Sequence, residues 1–545
     1  MNPDQLAVQR GVAAGLGRPR DAFEHFTHAL AINPNNVEAH YNIGVLMSGL
    51  HRHEEALIGY RNAILIDPAY VPAYVNAGAA LRELKRYDEA VAIYDRLMSV
   101  QPEIPFIEGT RLHCKMLICE WLGLDDEIAR LHGRVRKGEK ASAPFTLLAT
   151  SDSPHTQLIC AQTYVADRYP ASPTPLWHGQ AYRHDRIRVA YVSGEFREQP
   201  TAYLTAGLFE CHDRSAFEVY AISTGPNTRS PMRARLEQAF EHFIDADTKP
   251  DREIADLLRS NEINIAVNLN GLFGLERTGV FALRPCPVQV NYLGFPGTMG
   301  APYMDYIVAD KIVIPPDEHH HYAETVVYLL NCYQPNDRKR AISPEPVTRG
   351  DAGLPPDGFV FCCFNNSHKL MPAMFDIWMR LLSSVEGSVL WLLDVNGLAK
   401  TRLAGEAERR GVSPERIVFA PLVPLEKHLA RLRLADLVLD TLPHNAHTTA
   451  SDALWAGIPV LTCQGSTFAG RVAASLLHAV GLPELVTTSL AEYEALALAL
   501  AHDDARLAAI RAKLLRNRDI CPLFDTERYT RDLEAAFRWM IANPR

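Results

Sequence analysis

Pro34, Pro68 and Pro102 stand 34 residues apart, as do Ala22, Ala56 and Ala90 and the aromatic set Phe26, Tyr60 and Tyr94; Gly44 and Gly78 keep the same interval. No other feature constrains the fold as much, because this is the tetratricopeptide period, in which each repeat is a helix pair that cannot bury its apolar face alone. Small residues let the paired helices approach, the aromatic fills the remaining gap, and the Pro stops the second helix before the next repeat. Three repeats are visible over residues 1–102, the first degraded where Arg10 replaces the Gly. Such stacks hold a peptide or protein segment on one face. Asn42 and Asn76, two residues ahead of each Gly, are placed to reach a peptide backbone with their amides, or else belong to the repeat pattern without a ligand.

From 103 to 180 the pattern stays helical but loses its period, which marks a helical joint. The texture then changes. Short runs rich in Val, Ile and Tyr ("RIRVAYVS", "FEVYAIST", "INIAVNLNG", "VQVNYLGFPG", "DYIVAD", then "FVFCCFNN", "SVLWLLD", "RIVFAPL", "DLVLDTL", "IPVLTC") alternate with longer amphipathic stretches. Strands of this length separated by helices predict parallel sheets covered on both faces. A Pro and Gly cluster at 343–358 divides them into two sets, giving doubly wound domains at 181–345 and 346–523 that face each other across a cleft. Ligands are expected at the carboxyl ends of the strands. The final stretch carries Tyr529, Leu533, Phe537 and Met540 at helical spacing, and predicts a terminal helix over 524–545 that packs back onto the first sheet domain.

Composition narrows the partners. Lys plus Arg number 55 against 64 Asp plus Glu, a net −9 with no basic block to track a phosphate backbone, so nucleic acid is not expected. No run of ~18 apolar residues predicts a membrane helix, and the opening "MNPDQLAVQRG" lacks the shape of a signal peptide. Ten scattered Cys without a CxxC pair fit a reducing, cytoplasmic setting.

"DLVLDTLPHNAHTTASDALWAG" reads strand, loop, helix, so His447, Thr448 and Thr449 fall at a helix start, where unpaired N–H groups and the positive end of the helix dipole favour an anion. Taken alone, Thr448 or Thr449 could be a simple N-cap and Asp452 a dipole partner in the first turn. The loop after the first strand of the same domain supplies Asn365, Asn366, Ser367, His368 and Lys369, the last a point charge for a phosphate. A third loop leads to His428 and Arg431, three apart on one helix face. Three such loops at one sheet edge predict a nucleotide-sized ligand. "EHHH", Glu318 to His321, reads as an exposed loop, no Asp-x-Asp stands at a strand end, and no metal is expected.

Repeats followed by "YVSGEF", "PTAYL", "FALRPCPVQVNYLGFPGTMGAPYMDYIVAD", "FNNSHK", "NAHTTASDALWAGIPVLT" and "RVAASLL" resemble the protein O-GlcNAc transferases over nearly the whole chain. These enzymes move N-acetylglucosamine from UDP-GlcNAc to Ser or Thr hydroxyls. The resemblance implies a GT-B fold, a UDP-sugar donor, a protein or peptide acceptor held by the repeats, and no cofactor. It implies that Lys369 and the His447-Thr448-Thr449 helix start hold the diphosphate, Asn366 lies near the phosphates, and Asp452 takes ribose hydroxyls. His428 and Arg431 would lie by the uracil, Val423 would be among the substrate-binding residues, and Leu293, Gly294 and Pro296 of "LGFPG" would lie against the sugar.

The sequence departs from that pattern in three places. Gln199 stands where these enzymes usually carry His, and Gln cannot take a proton at neutral pH. Asn268 replaces an Asp common among relatives, and Leu425 replaces a Lys expected near the uracil. Two alternatives therefore stay open: a repeat protein that binds nucleotide with little catalysis, and a SPINDLY-like O-fucosyltransferase using GDP-fucose.

Overall fold

The computed structural model describes residues 19–543, which fall into two compact units that divide after Thr146. Arg10 and the first helix of the first expected repeat lie outside the described residues. In the first unit, helices Val37–Gly49 and His53–Ile66 form one repeat, Val71–Glu83 and Tyr87–Val100 the next. The period has a steric cause. A Cβ on Gly44 would lie 2.6 Å from the Tyr60 ring, and one on Gly78 would lie 2.4 Å from that of Tyr94, so each tyrosine fills the space of a missing methyl. Ala56 and Ala90 are fully buried at the same crossings. Pro34, Pro68 and Pro102 each follow the end of a helix, at Ile32, Ile66 and Val100. Asn76 is 6% exposed and donates to the Tyr41 hydroxyl at 3.0 Å. Its amide therefore serves the packing of the repeats, a correction to the peptide-reading role expected for it; Asn42 remains half-exposed. Helices Ile107–Leu117 and Leu124–Arg136 continue the first unit without the period.

The second unit contains two all-parallel sheets. The first has strands β1 (Ile187–Ser193), β2 (Phe217–Ser223), β3 (His242–Asp245), β4 (Ile265–Asn268), β5 (Val288–Asn291), β6 (Tyr306–Ala309) and β7 (Thr325–Tyr328), in the order β3-β2-β1-β4-β5-β6-β7. The second has β8 (Val360–Cys363), β9 (Val389–Leu393), β10 (Ile417–Ala420), β11 (Leu437–Leu439), β12 (Val460–Cys463) and β13 (Val486–Thr487), in the order β10-β9-β8-β11-β12-β13. Their central strands are buried on both faces, as continuous Val, Ile and Ala runs require. In each sheet the strand order reverses once, between β1 and β4 and between β8 and β11, and these are the places where a doubly wound sheet opens a crevice for ligand.

The terminal helix, Thr526–Ala542, buries Leu533, Phe537 and Met540. Its partners belong to the first sheet and its cover. Tyr529 bonds Tyr292 and the Tyr333 carbonyl, Glu534 bonds His212, and Phe537 packs on Tyr191 and Phe217. Side chains also tie the first sheet domain, and the segment that follows it, to the second. Asp310, just past β6, accepts from Ser475 at 2.6 Å, while Arg340 donates to Asp452 at 2.6 Å and offers its carbonyl to Trp455. No described helix is long and apolar enough to cross a membrane.

Candidate functional site

The second crevice gathers the loops after β8 and β11. Asn366 caps a single 3-10 turn, Ser367–Lys369, which bends the chain so that the Lys369 ammonium donates to the Asn445 carbonyl at 2.8 Å. Asn365 then stitches the two loops together, giving a hydrogen bond to Thr441 Oγ1 at 2.8 Å and taking one from Thr449 at 2.6 Å. Under them lies Asp440, at the end of β11, accepting from the Thr441 and Ala446 N–H groups and from Thr462. Burial pushes the Lys369 ammonium below the ordinary lysine range while the charge of Asp440 holds it up; burial likewise raises Asp440. Two opposite charges in one dry pocket keep each other ionised. Asp440 was not anticipated, although a carboxylate ending an apolar strand was its signal in "DLVLD".

Helix Thr448–Ala456 begins here. His447 occupies its N-cap but supplies no side-chain cap, so the first N–H groups keep no internal acceptor and point out of the helix end. The capping explanation for the two threonines therefore fails: Thr449 spends its hydroxyl on Asn365, and Thr448 has no hydrogen-bond partner among the described residues. His447 donates from Nε2 to the Ala469 carbonyl at 3.1 Å, and burial beside Lys369 holds it neutral, its pKa well below the ordinary value. With the proton fixed on Nε2, Nδ1 keeps a lone pair. A lysine, an uncapped helix start and a threonine hydroxyl converge on one spot, which is the composition of an oxyanion or phosphate site.

Asp452, one turn into that helix, is 6% exposed, with Oδ1 held by Arg340 and the carboxyl pushed up to about 6, chiefly by burial. Arg340 had no signal in the sequence, since its partner lies 112 residues away. On helix Leu425–Leu432, Arg431 donates to His428 Nδ1 at 3.1 Å and lies over the Phe364 ring at 5.1 Å. Burial, with Arg431 alongside, lowers the His428 pKa to about 4, so this imidazole is neutral and offers an Nε2–H. Val423 and Leu425 are half-buried just before and at the start of the same helix.

The first crevice holds the remaining candidates. Gln199 is the N-cap of helix Pro200–Cys211, half-buried and without a side-chain cap bond. Burial raises the pKa of Tyr203, in that helix's first turn, and the carboxylates of Glu198 and Asp452 add to the rise, so this helix start faces the Asp452 helix of the other sheet domain. Leu293 adopts a φ of 79°, and a Cβ on Gly294 would meet the Leu269 carbonyl at 2.2 Å, which presses the "LGFPG" loop, with buried Pro296, against the loop after β4. Asn268 accepts from the N–H groups of Asn270 and Gly271 at 3.1 and 2.9 Å and so closes that loop. Glu318, His320 and His321 form a 3-10 turn between β6 and β7, at neither crevice, with side-chain atoms within 4.8 Å of one another.

Two doubly wound parallel sheets, with a helix start of the first turned toward the Asp452 helix of the second, define the GT-B class of glycosyltransferase folds. The family model for glycosyl transferase family 41 matches residues 155–344 and 341–533, and tetratricopeptide models match 25–58 and 71–104, so the chain belongs to glycosyl transferase family 41. It is 35% identical over 447 residues to a probable UDP-N-acetylglucosamine--peptide N-acetylglucosaminyltransferase SEC of Arabidopsis thaliana, covering 78% of this chain and 46% of that protein. It is 29% identical over 376 residues to the protein named SPINDLY of Solanum lycopersicum, covering 67% and 40%. The chain thus spans less than half the length of these relatives. A solved structure of a Thermobaculum terrenum O-GlcNAc transferase mutant superposes with a TM-score of 0.74 at 28% identity, covering 99% of this chain and 98% of the other.

Proposed function

We propose that this chain is an inverting glycosyltransferase that moves N-acetylglucosamine from UDP-GlcNAc to Ser or Thr hydroxyls of protein acceptors. The observation that carries it is the meeting of Lys369 with the uncapped start of helix Thr448–Ala456. Departure of UDP from the sugar carbon builds negative charge on the diphosphate, and donors already aimed at that charge lower the barrier; losing one typically costs ~10²–10³ in rate. Lys369, the Thr448 hydroxyl and the helix N–H groups supply them without a metal ion. The neutral His447 leaves the positive charge there to Lys369 and the helix dipole. Asp452 would take ribose hydroxyls through its open Oδ2, with Oδ1 kept in place by Arg340. His428 and Arg431 would flank the uracil, Val423 would line that pocket, Asn366 would stand by the phosphates, and Leu293, Gly294 and Pro296 would bound the sugar.

The repeats would hold the acceptor, and the setting would be the cytoplasm, in keeping with ten free cysteines. Gln199 favours one second reading, nucleotide binding with weak transfer. The test is direct: the full chain is titrated calorimetrically with UDP and GDP, then incubated with UDP-GlcNAc and a proteome, and the products are read by mass spectrometry with and without a chelator. Preferred UDP binding with chelator-insensitive hexosamine addition to Ser or Thr is expected. Preferred GDP binding with deoxyhexose transfer from GDP-fucose would instead favour the SPINDLY-like reading, and nucleotide binding without transfer the weak-catalysis one.

A further inference from the structure

The first crevice contains a carboxylate that the site described so far does not use. Glu195 follows β1 at the point where the strand order reverses, and the loop after β4, the strand next to β1, closes over it. The two loops interlock: the Gly194 N–H donates to Asn270 Oδ1 at 2.8 Å, and Asn270 donates onward to the Phe273 carbonyl. A Cβ on Gly194 would strike Leu275 at 2.5 Å, and Glu195 Oε1 lies 3.3 Å from where a Cβ of Gly274, at a φ of 66°, would stand. The polar groups around Glu195 are thus paired with one another, yet its own carboxylate accepts no hydrogen bond from any described residue, at 7% exposure. Arg197 is the charged side chain that acts on it, and the buried Nε of Arg197 is likewise without a partner. The Glu195 oxygens are not sealed from solvent, so this largely buried carboxylate stays open to a donor that the fold itself does not supply.

We infer that Glu195 accepts the proton of the acceptor Ser or Thr hydroxyl, doing from the end of β1 what Gln199 cannot do. This rests on the transferase reading. In the step, the hydroxyl oxygen forms a bond to the anomeric carbon, the bond from that carbon to the diphosphate oxygen breaks, UDP leaves with the electron pair, and the hydroxyl proton passes to the Glu195 carboxylate. Burial raises the Glu195 pKa above the ordinary glutamate value and so nearer the working pH, which suits a general base, while the Arg197 charge keeps it from being lost to protonation.

The test uses the full chain with Glu195→Gln and Glu195→Asp, measuring peptide transfer against pH, UDP affinity and thermal melting. Glu195→Gln is expected to lower kcat for transfer by ~10²-fold or more and to remove the acidic limb of the pH profile, with UDP affinity and melting unchanged. Glu195→Asp should keep part of the rate and the acidic limb, and Gln199→His added to Glu195→Gln should recover transfer. Wild-type rate and profile in Glu195→Gln would overturn the inference while leaving the transferase reading intact. Loss of UDP binding or melting along with rate would also overturn it, in favour of a structural role. A wild-type chain that binds UDP and transfers nothing would remove both readings.

Discussion

His212 and Glu534, 322 residues apart, share a hydrogen bond of 2.9 Å in the interior, with side chains 0% and 4% exposed. Tyr191 bonds the other imidazole nitrogen at 2.9 Å, and Glu534 also accepts the Asp213 N–H, so one carboxylate fixes the terminal helix to β1 and to the end of helix Pro200–Cys211. Glu534→Ala leaves the buried His212 donor and the partly buried Asp213 N–H unmet and should cost about 2–4 kcal/mol. Urea unfolding followed by circular dichroism measures it; removing residues 524–545 should cost more and expose apolar surface to a hydrophobic dye.

The same pair predicts a pH response. Burial lowers the His212 pKa, so the folded chain holds it neutral while the unfolded chain binds a proton near pH ~6.5. The contribution is complete above that value and is lost as the pH falls below it, because the unfolded state takes up the proton first. A His212→Gln variant should show a shallower loss of unfolding free energy from neutral pH toward pH ~5 than the wild type.

Lys369→Ala removes the charge proposed to face the diphosphate and leaves the repeats untouched. Transfer to peptide and hydrolysis of UDP-GlcNAc should fall together by ~10²-fold or more, as read by release of UDP with and without acceptor. Wild-type turnover in this variant would end the phosphate assignment.

Arg340→Met strips Asp452 of its cation while keeping bulk against Trp455. The carboxyl, already pushed up to about 6, should rise further and be neutral at physiological pH. The donor KM should increase about tenfold, equivalent to ~1.4 kcal/mol, and recover partly as the pH is raised. Steady-state kinetics at neutral and alkaline pH decide it, and no change in KM would dissociate Asp452 from donor binding.

The two repeat asparagines should part ways. Asn76→Ala removes the donor to Tyr41 and should cost about 1 kcal/mol of stability. Asn42→Ala should leave melting unchanged and weaken binding of acceptor peptide, measured by fluorescence anisotropy; unchanged peptide affinity would take Asn42 out of the groove.

What was legible in the sequence follows from how locally each feature is determined. The repeats showed because Gly44 and Tyr60, or Gly78 and Tyr94, meet within one helix pair. Most of the ten strands marked in the sequence are buried runs, and the edge strand β10 shows through its apolar Ile-Val-Phe-Ala run, whereas the edge strands β3 and β7 carry partly exposed side chains and β13 is two residues long, so hydrophobic periodicity had little to mark. Lys369 and the His447 loop were visible as polar residues between a strand and a helix. Arg340 was not, because its value depends on Asp452 and Trp455 across the fold, and neither was the unpaired state of Glu195, which only the closure of the β4 loop over β1 creates.

The tyrosine that fills the place of a glycine methyl also governs how such an array changes length. Gly44 to Tyr60 and Gly78 to Tyr94 span the same number of residues, and each further residue turns a helix by about 100°. One inserted residue within that span would swing the ring off its cavity and leave both a hole and an exposed phenol. A whole added repeat would reproduce the fit at every crossing, so this part of the molecule tolerates growth in units and resists it in increments.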